Sequence, residues 1–195
     1  MNSQELLLVT LARKINMKYV FYPDLPPLPA LALDPEPSTF HQYLTISCDR
    51  NGVPVNNTVC TRHAINPAVV EWAKQNISKE FHAVGLNCQG TEAGGVAIPH
   101  TDRTRNWTLM WIVDPGGSKV STTFWQEHGH AIEREPGYYP KNYECLTELE
   151  THVLEPNRWI LLNAKVIHSV ENLEGVRKSV QIGFWDNTEF VTNFQ

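Results

Sequence analysis

In the stretch from Ile98 to Trp111, IPHTDRTRNWTLMW, a histidine and an aspartate stand two residues apart, His100 and Asp102, with apolar residues just before them. On a β-strand, residues at i and i+2 leave from the same face, so one imidazole nitrogen and one carboxylate oxygen converge. They supply two of the three ligands of the 2-His-1-carboxylate facial triad, which holds non-haem Fe(II) and leaves coordination positions open. The remaining ligand has to come from elsewhere in the chain. His168, in the late apolar segment LLNAKVIHSVEN, is the best candidate, and Arg177 and Ser179 follow it. Singly, each has a plainer reading. H-x-D can be the polar start of a loop, His168 a hydrogen-bonded core histidine, and Arg177 a surface partner of Glu171 or Glu174. Their order, spacing and apolar flanks together favour a metal site.

Other residues offer less. His128 and His130, in QEHGHAIERE, could bind a metal, but the polar loop around them better suits a solvated segment or a substrate lid. Arg103 and Arg105 could grip an acidic group of a substrate or brace a solvated turn. Trp107, Trp111, Trp125 and Trp185 read as core or as lining of a cavity mouth, and Gly116–Gly117 is most simply a hairpin turn.

The site residues need strands to carry them. From Phe81 onward, short apolar segments alternate with turn signals, and strands are expected at 81–89, 94–102, 107–114, 119–126, 145–154, 158–163, 166–171 and 177–185. Eight such strands fit a jelly roll, two antiparallel sheets folded over a shared interior. In RKSVQIGFW, alternation puts Arg177, Ser179, Gln181, Gly183 and Trp185 on one face and Lys178, Val180, Ile182 and Phe184 on the other. The second face is apolar past its first residue and should pack under N-terminal helices; the first is polar and enclosed.

Residues 1–80 differ from the rest. MNSQELLLVTLARK reads as a helix, and YPDLPPLPALALDPEPST (22–39) as a proline-rich covering loop or linker. INPAVVEWAKQNI carries a helix start, Asn66 as N-cap and Pro67 at the first helical position, with an apolar side from Val69 to Ile77. The expected organisation is a single domain over 1–195, with a helical and proline-rich covering segment at 1–80 and a jelly-roll core at 81–186.

A net charge of −5 and a pI near 5.9 argue against duplex nucleic acid as a partner. The first residues lack a secretory signature, and no apolar run approaches the roughly 20 residues of a membrane span. The expectation is a cytoplasmic protein acting away from membranes on a small molecule or peptide, with its oligomeric state open. Cys48, Cys60, Cys88 and Cys145 are scattered without a C-x-x-C pair, so neither a zinc ribbon nor a disulfide scaffold is expected, and the thiols should be reduced. The sequons at Asn56, Asn76 and Asn106 are then chance matches.

The constellation H-x-D, a distal histidine and then R-x-S resembles the Fe(II)- and 2-oxoglutarate-dependent dioxygenases. The surrounding sequence is most similar to their prolyl-4-hydroxylase-like branch: PHTD (99–102), RNWTLMWIV (105–113), a double glycine leading to TTF (122–124), and LEPNRWILLNAKVIHSVENLEGVRKSVQIGFW (154–185). The resemblance spans about residues 81–186 and implies a double-stranded β-helix, a cupin-like jelly roll with the metal inside its mouth. It implies His100, Asp102 and His168 as iron ligands, with 2-oxoglutarate and O2 as cosubstrates. Arg177 would bind the distal carboxylate of 2-oxoglutarate, assisted by Ser179, since a planar guanidinium suits a bidentate carboxylate. Lys178 is the rival anchor. Where relatives offer a tyrosine hydroxyl from the strand before H-x-D, this chain has Asn87, whose amide could donate instead. Asp102 at the carboxylate position argues against the halogenating variants. The implied reaction is hydroxylation of an unactivated C–H bond, of an amino acid or peptidyl residue, with decarboxylation of 2-oxoglutarate to succinate. The alternatives are a nucleobase or other small metabolite as substrate, or a non-catalytic jelly-roll module that binds a metal or ligand.

Overall fold

The alternation read from the sequence becomes two antiparallel sheets in the computed structural model, which describes residues 19–29, 37–42, 47–48, 54–55, 59–89, 95–186 and 188–194. Short strands come first: β1 (Val20–Phe21), β2 (Pro37–Gln42), β3 (Ser47–Cys48), β4 (Pro54–Val55) and β5 (Val59–His63), followed by helix α1 (Pro67–Asn76). Eight strands come next: β6 (His82–Gln89), β7 (Gly95–His100), β8 (Trp107–Asp114), β9 (Ser121–Glu127), β10 (Leu146–His152), β11 (Trp159–Asn163), β12 (Ile167–Leu173) and β13 (Val176–Phe184). A short helix, α2 (Glu189–Thr192), comes last.

The large sheet runs β1-β11-β8-β13-β6-β5-β2 and the small one β10-β9-β12-β7, while β3 and β4 pair as a separate ribbon. From β6 to β13 the chain crosses between the sheets at every step except β9 to β10, which are neighbours in the small sheet. Strands adjacent in sequence therefore face each other across the interior, and each sheet interleaves early and late strands. That arrangement is a double-stranded β-helix, or jelly roll.

Burial follows from this winding. In β8, Trp107, Leu109 and Trp111 leave one face while Thr108, Met110 and Ile112 leave the other. The first set packs outward with Ile182 and Phe184 of β13, under Trp72, Ala73 and Ile77 at α1 and Val191 of α2. Trp72 stacks on Trp159 with ring centroids 4.8 Å apart. Met110 and Ile112 face the small sheet and join Phe124, Ile160, Leu162 and Val166 in the core between the sheets. Over Trp107–Ile112 the strand is covered on both sides, which accounts for the nearly unbroken apolar run WTLMWI.

Helix α1 begins as expected, with the Asn66 Oδ1 accepting from the Ala68 amide at 3.0 Å and Pro67 in the first turn. The expected N-terminal helix over 1–14 lies outside the described residues. Of the proline-rich segment, residues 22–29 have no regular structure; Leu25 and Leu28 cover the outer face of the large sheet, and Trp159 Nε1 donates to the Pro26 carbonyl at 2.7 Å. Residues 30–36 lie outside the described residues.

Several expectations are corrected. Gly116 and Gly117 do not form a hairpin, because β8 and β9 belong to different sheets; they turn the chain from one sheet to the other. The large sheet does not stop at residue 81, since β5 pairs with β6 and β2 with β5. The cysteines are not all reduced thiols: Cys60 and Cys88 sit opposite each other on β5 and β6 and form a disulfide. Distance along the chain hid this pair, which the sheet register brings together. Among the described residues no helix is long and apolar enough to cross a membrane.

Candidate metal centre

His100 ends β7, Asp102 lies two residues on, just past the strand, and His168 lies in β12 directly opposite His100 in the β7–β12 pairing. The histidines, separated by most of the jelly roll in sequence, are thus cross-strand neighbours with ring centroids 4.7 Å apart. His100 Nε2 is 3.7 Å and His168 Nε2 4.0 Å from Asp102 Oδ1. One donor atom from each residue lies within 4.8 Å of the others, and no second group of three such residues occurs among the described residues.

Each donor is oriented by a second contact. His100 Nδ1 donates to the Ile98 carbonyl at 2.7 Å and His168 Nδ1 to the Val166 carbonyl at 2.9 Å. Both rings are thereby fixed in the tautomer that leaves Nε2 with a free lone pair. Asp102 Oδ2 accepts from Arg105 Nε at 2.6 Å and Thr108 Oγ1 at 2.9 Å, so Oδ1 is the oxygen turned toward the histidines. Burial works against the Asp102 charge, but the Arg105 guanidinium first and then a hydrogen bond with His100 hold its carboxyl well below the usual range. Burial first, then His100, push the His168 pKa down to about 4 against the pull of Asp102, which keeps its imidazole neutral at pH 7. Two imidazole nitrogens and a carboxylate oxygen, all turned to one point, suit a divalent cation.

The triad opens into a cavity of about 130 Å³ between the sheets. Its walls are largely apolar, with Leu86, Val96, Met110 and Val170 among them. Arg177, Ser179 and Gln181 reach it from the inward face of β13, the face expected to be polar and enclosed. Arg177 is 6% exposed, and its guanidinium has no acid partner among the described residues; its recorded contact is Nη2 to Met110 Sδ at 3.7 Å. Burial pushes its pKa down to about 10. Ser179 Oγ lies 3.5 Å from the Leu86 carbonyl and accepts from Gln181 Nε2 at 3.3 Å. Lys178 is exposed and does not line the cavity.

Asn87 is not brought to the site. Val84, Leu86 and Cys88 leave β6 toward the cavity, so Asn87 leaves from the opposite face, where its Nδ2 donates to His63 Nε2 at 2.9 Å. On a strand one residue changes the face, so the expected amide is turned away from the cavity. Trp107 and Trp125 are core, whereas Trp185 is 50% exposed.

His128 and His130 are exposed, in the β9–β10 loop. That loop is anchored to the site. The Thr101 amide donates to the Tyr138 carbonyl at 2.9 Å, the Gly137 amide to the Asp102 carbonyl at 3.0 Å, and Thr101 Oγ1 to the Glu135 carbonyl at 2.7 Å. Tyr138 Oη donates to both Glu127 oxygens, at 2.9 and 2.7 Å, and the Tyr139 ring stacks on His100.

Two more arginines complete the site. Arg105, expected to grip a substrate or brace a solvated turn, is 7% exposed, clamps Asp102 and donates through Nη2 to Gln181 Oε1 at 2.6 Å. Arg62 reaches the cavity from β5, a strand legible only in the short β-branched run VCTRH.

No family model and no curated protein matches the chain. Among solved structures it is similar to a cupin superfamily protein from Desulfitobacterium hafniense, at 13% identity over 84% of this chain and 100% of that one, TM-score 0.35. The cupin domain of Drosophila melanogaster CENP-C matches at 10% identity over 93% and 98%, TM-score 0.36, and E. coli ycfD at 11% over 99% and 48%, TM-score 0.43. The fold assignment rests on strand order, not on these likenesses.

Proposed function

We propose that the protein is an Fe(II)- and 2-oxoglutarate-dependent dioxygenase that hydroxylates an unactivated C–H bond of an amino acid or peptidyl residue. The observation that carries this reading is Arg177, a buried guanidinium without an acid partner in the cavity that also holds a two-histidine, one-carboxylate donor set. Desolvating an unpaired cation costs several kcal/mol, and an anionic ligand offsets it. A 2-oxo dicarboxylic acid matches both ends of the cavity, one carboxylate for Arg177 and a keto-acid end for a metal.

Bound iron would supply the oxygen chemistry: one atom of O2 enters the substrate C–H bond, the other enters succinate, and C1 of 2-oxoglutarate leaves as CO2. The chain's own residues do the placing. His100, His168 and Asp102 Oδ1 would hold the metal, and the clamp on Asp102 Oδ2 keeps that carboxylate from rotating. Arg177 and the Ser179 hydroxyl would orient the distal carboxylate, while the apolar walls keep water from the reacting centre.

The test is anaerobic addition of Fe(II) and 2-oxoglutarate, read by a weak visible charge-transfer band, followed by O2 and assay of succinate. Band and succinate are both expected. Absence of both would leave a non-catalytic binding module. In the same assay Arg177→Gln should raise the half-saturating 2-oxoglutarate concentration about 10- to 100-fold, and Lys178→Gln should leave it unchanged. The reverse result would move the anchor to Lys178.

A further inference from the structure

The mouth of the cavity carries more positive charge than its own residues balance. Arg62, Arg103 and Arg105 surround the His100–Asp102 edge, and among the described residues Asp102 is the one carboxylate lining that mouth. Its oxygens are already committed, Oδ2 to Arg105 and Thr108 and Oδ1 toward the histidines. Among the described residues neither Arg62 nor Arg103 forms an ion pair. Arg105 is nine-tenths buried, and its Nη1 is buried without a hydrogen-bond partner. A Cβ at Gly183 would lie 2.6 Å from Arg105 Cδ, so the backbone of β13 leaves just the space this side chain needs. His82 senses the same excess: burial first, then the charges of Arg105 and Arg62, lower its pKa. The chain as a whole carries −5, so this cluster runs against the overall balance.

Building on the oxygenase reading above, we propose that the substrate is a small molecule bearing its own carboxylate or phosphate, held at the mouth by Arg62 and Arg105. A peptide segment without acidic side chains would bring only neutral amides to guanidiniums that lose water on binding, leaving their charge uncompensated. A free amino acid or a phosphate monoester brings the missing counter-charge in the planar or tetrahedral oxygen geometry that a guanidinium fork matches. A duplex would need basic residues spread along a face to meet successive phosphates, and these are gathered at one opening.

The experiment uses the full chain loaded with Zn(II), diamagnetic and redox-inert, and 2-oxoglutarate, and follows the arginine side-chain Nε–H NMR signals. These are assigned with Arg62→Gln, Arg105→Gln and Arg177→Gln variants. Acetate and inorganic phosphate are titrated in turn, with acetamide as the neutral control at matched ionic strength. Saturable shifts of the Arg62 and Arg105 signals are expected with at least one anion and not with acetamide. Arg62→Gln should weaken that anion's apparent affinity about tenfold. The tighter of the two anions distinguishes a carboxylate from a phosphate substrate. Shifts absent with both anions, equal with acetamide, or unaffected by Arg62→Gln would overturn the proposal. The oxygenase reading is scored separately in the same spectra: 2-oxoglutarate that leaves the Arg177 signal unmoved defeats that reading, while the Arg62 and Arg105 responses to the simple anions still decide this one with Zn(II) alone.

Discussion

Asp102 has its two oxygens doing different work. Oδ1 is turned to the histidines, while Oδ2 is held by a charged donor and a hydroxyl. Contacts of this kind orient a metal ligand and set its basicity. Thr108→Val removes the hydroxyl and keeps the shape, so Fe(II) or Zn(II) affinity should fall about tenfold or more. Competition against a chromophoric chelator measures this, and an unchanged affinity would mean that Arg105 alone fixes the carboxylate. At this scale the sequence was informative where residue type and local spacing carry the chemistry. H-x-D keeps the imidazole and the carboxylate two residues apart, although β7 ends at His100 and it is Arg105 and Thr108 that hold Asp102 in place. Asn87 is turned away from the cavity because on a strand one position changes the face. Thr108 and Arg62 went unmarked because their roles depend on which strand lies opposite.

Among elements, β13 shows how much alternation alone conveys. Arg177, Ser179 and Gln181 do face the interior, and Ile182 and Phe184 pack outward in a cluster with Ala73 of α1 and Val191 of the C-terminal α2. The crossing between β8 and β9 was less legible, since a double glycine marks a turn without saying whether it joins neighbours or changes sheets. Gly116 has φ +79°, and a Cβ there would lie 2.8 Å from the Arg177 amide nitrogen. Gly116→Ala should therefore destabilise the fold by about 1–3 kcal/mol and also weaken 2-oxoglutarate binding. Denaturant melts and ligand titrations check the two effects, and a variant with native stability would show that the turn has slack.

The end of β13 is tied to the start of β8 through Asp186. It accepts from Asn106 Nδ2 at 2.8 Å and Trp107 Nε1 at 3.0 Å, and pairs with Lys165 Nζ at 3.0 Å. Burial opposes its charge, but Lys165, Trp107 and Asn106 outweigh this and lower its pKa below the usual 3.8. A carboxyl depressed in the folded state stabilises above its unfolded pKa and loses that contribution as pH falls through the folded value. The stability gap between the native chain and Asp186→Asn should be full at neutral pH and shrink as pH drops below 3.8. Thermal melts across that range measure it; a gap that stays constant would remove Asp186 from the acid response.

For the molecule as a whole, the Cys60–Cys88 disulfide closes a loop with a sequence separation of 28 that contains α1. In the chain-entropy picture a loop of this size contributes about 3 kcal/mol, so reduction or Cys60→Ser should lower stability by that order. Equal unfolding midpoints with and without reductant would show that the bond adds nothing. Both cysteines also line the cavity, and Cys88 pairs with Arg177 across β6 and β13, so the anchor residue sits against this edge of the sheet.

By itself the sequence determined the eight core strands, the inward face of β13, and the residue types of the His-Asp-His set, because each is written in residue type and in a period of two along a short segment. Tertiary structure decided the partners. It set His168 beside His100, Cys60 beside Cys88 and Arg62 at the mouth, and it turned Asn87 away. A strand's own pattern says which side is buried but carries no label for the strand that lies next to it, and that choice is made only when the whole chain winds and packs.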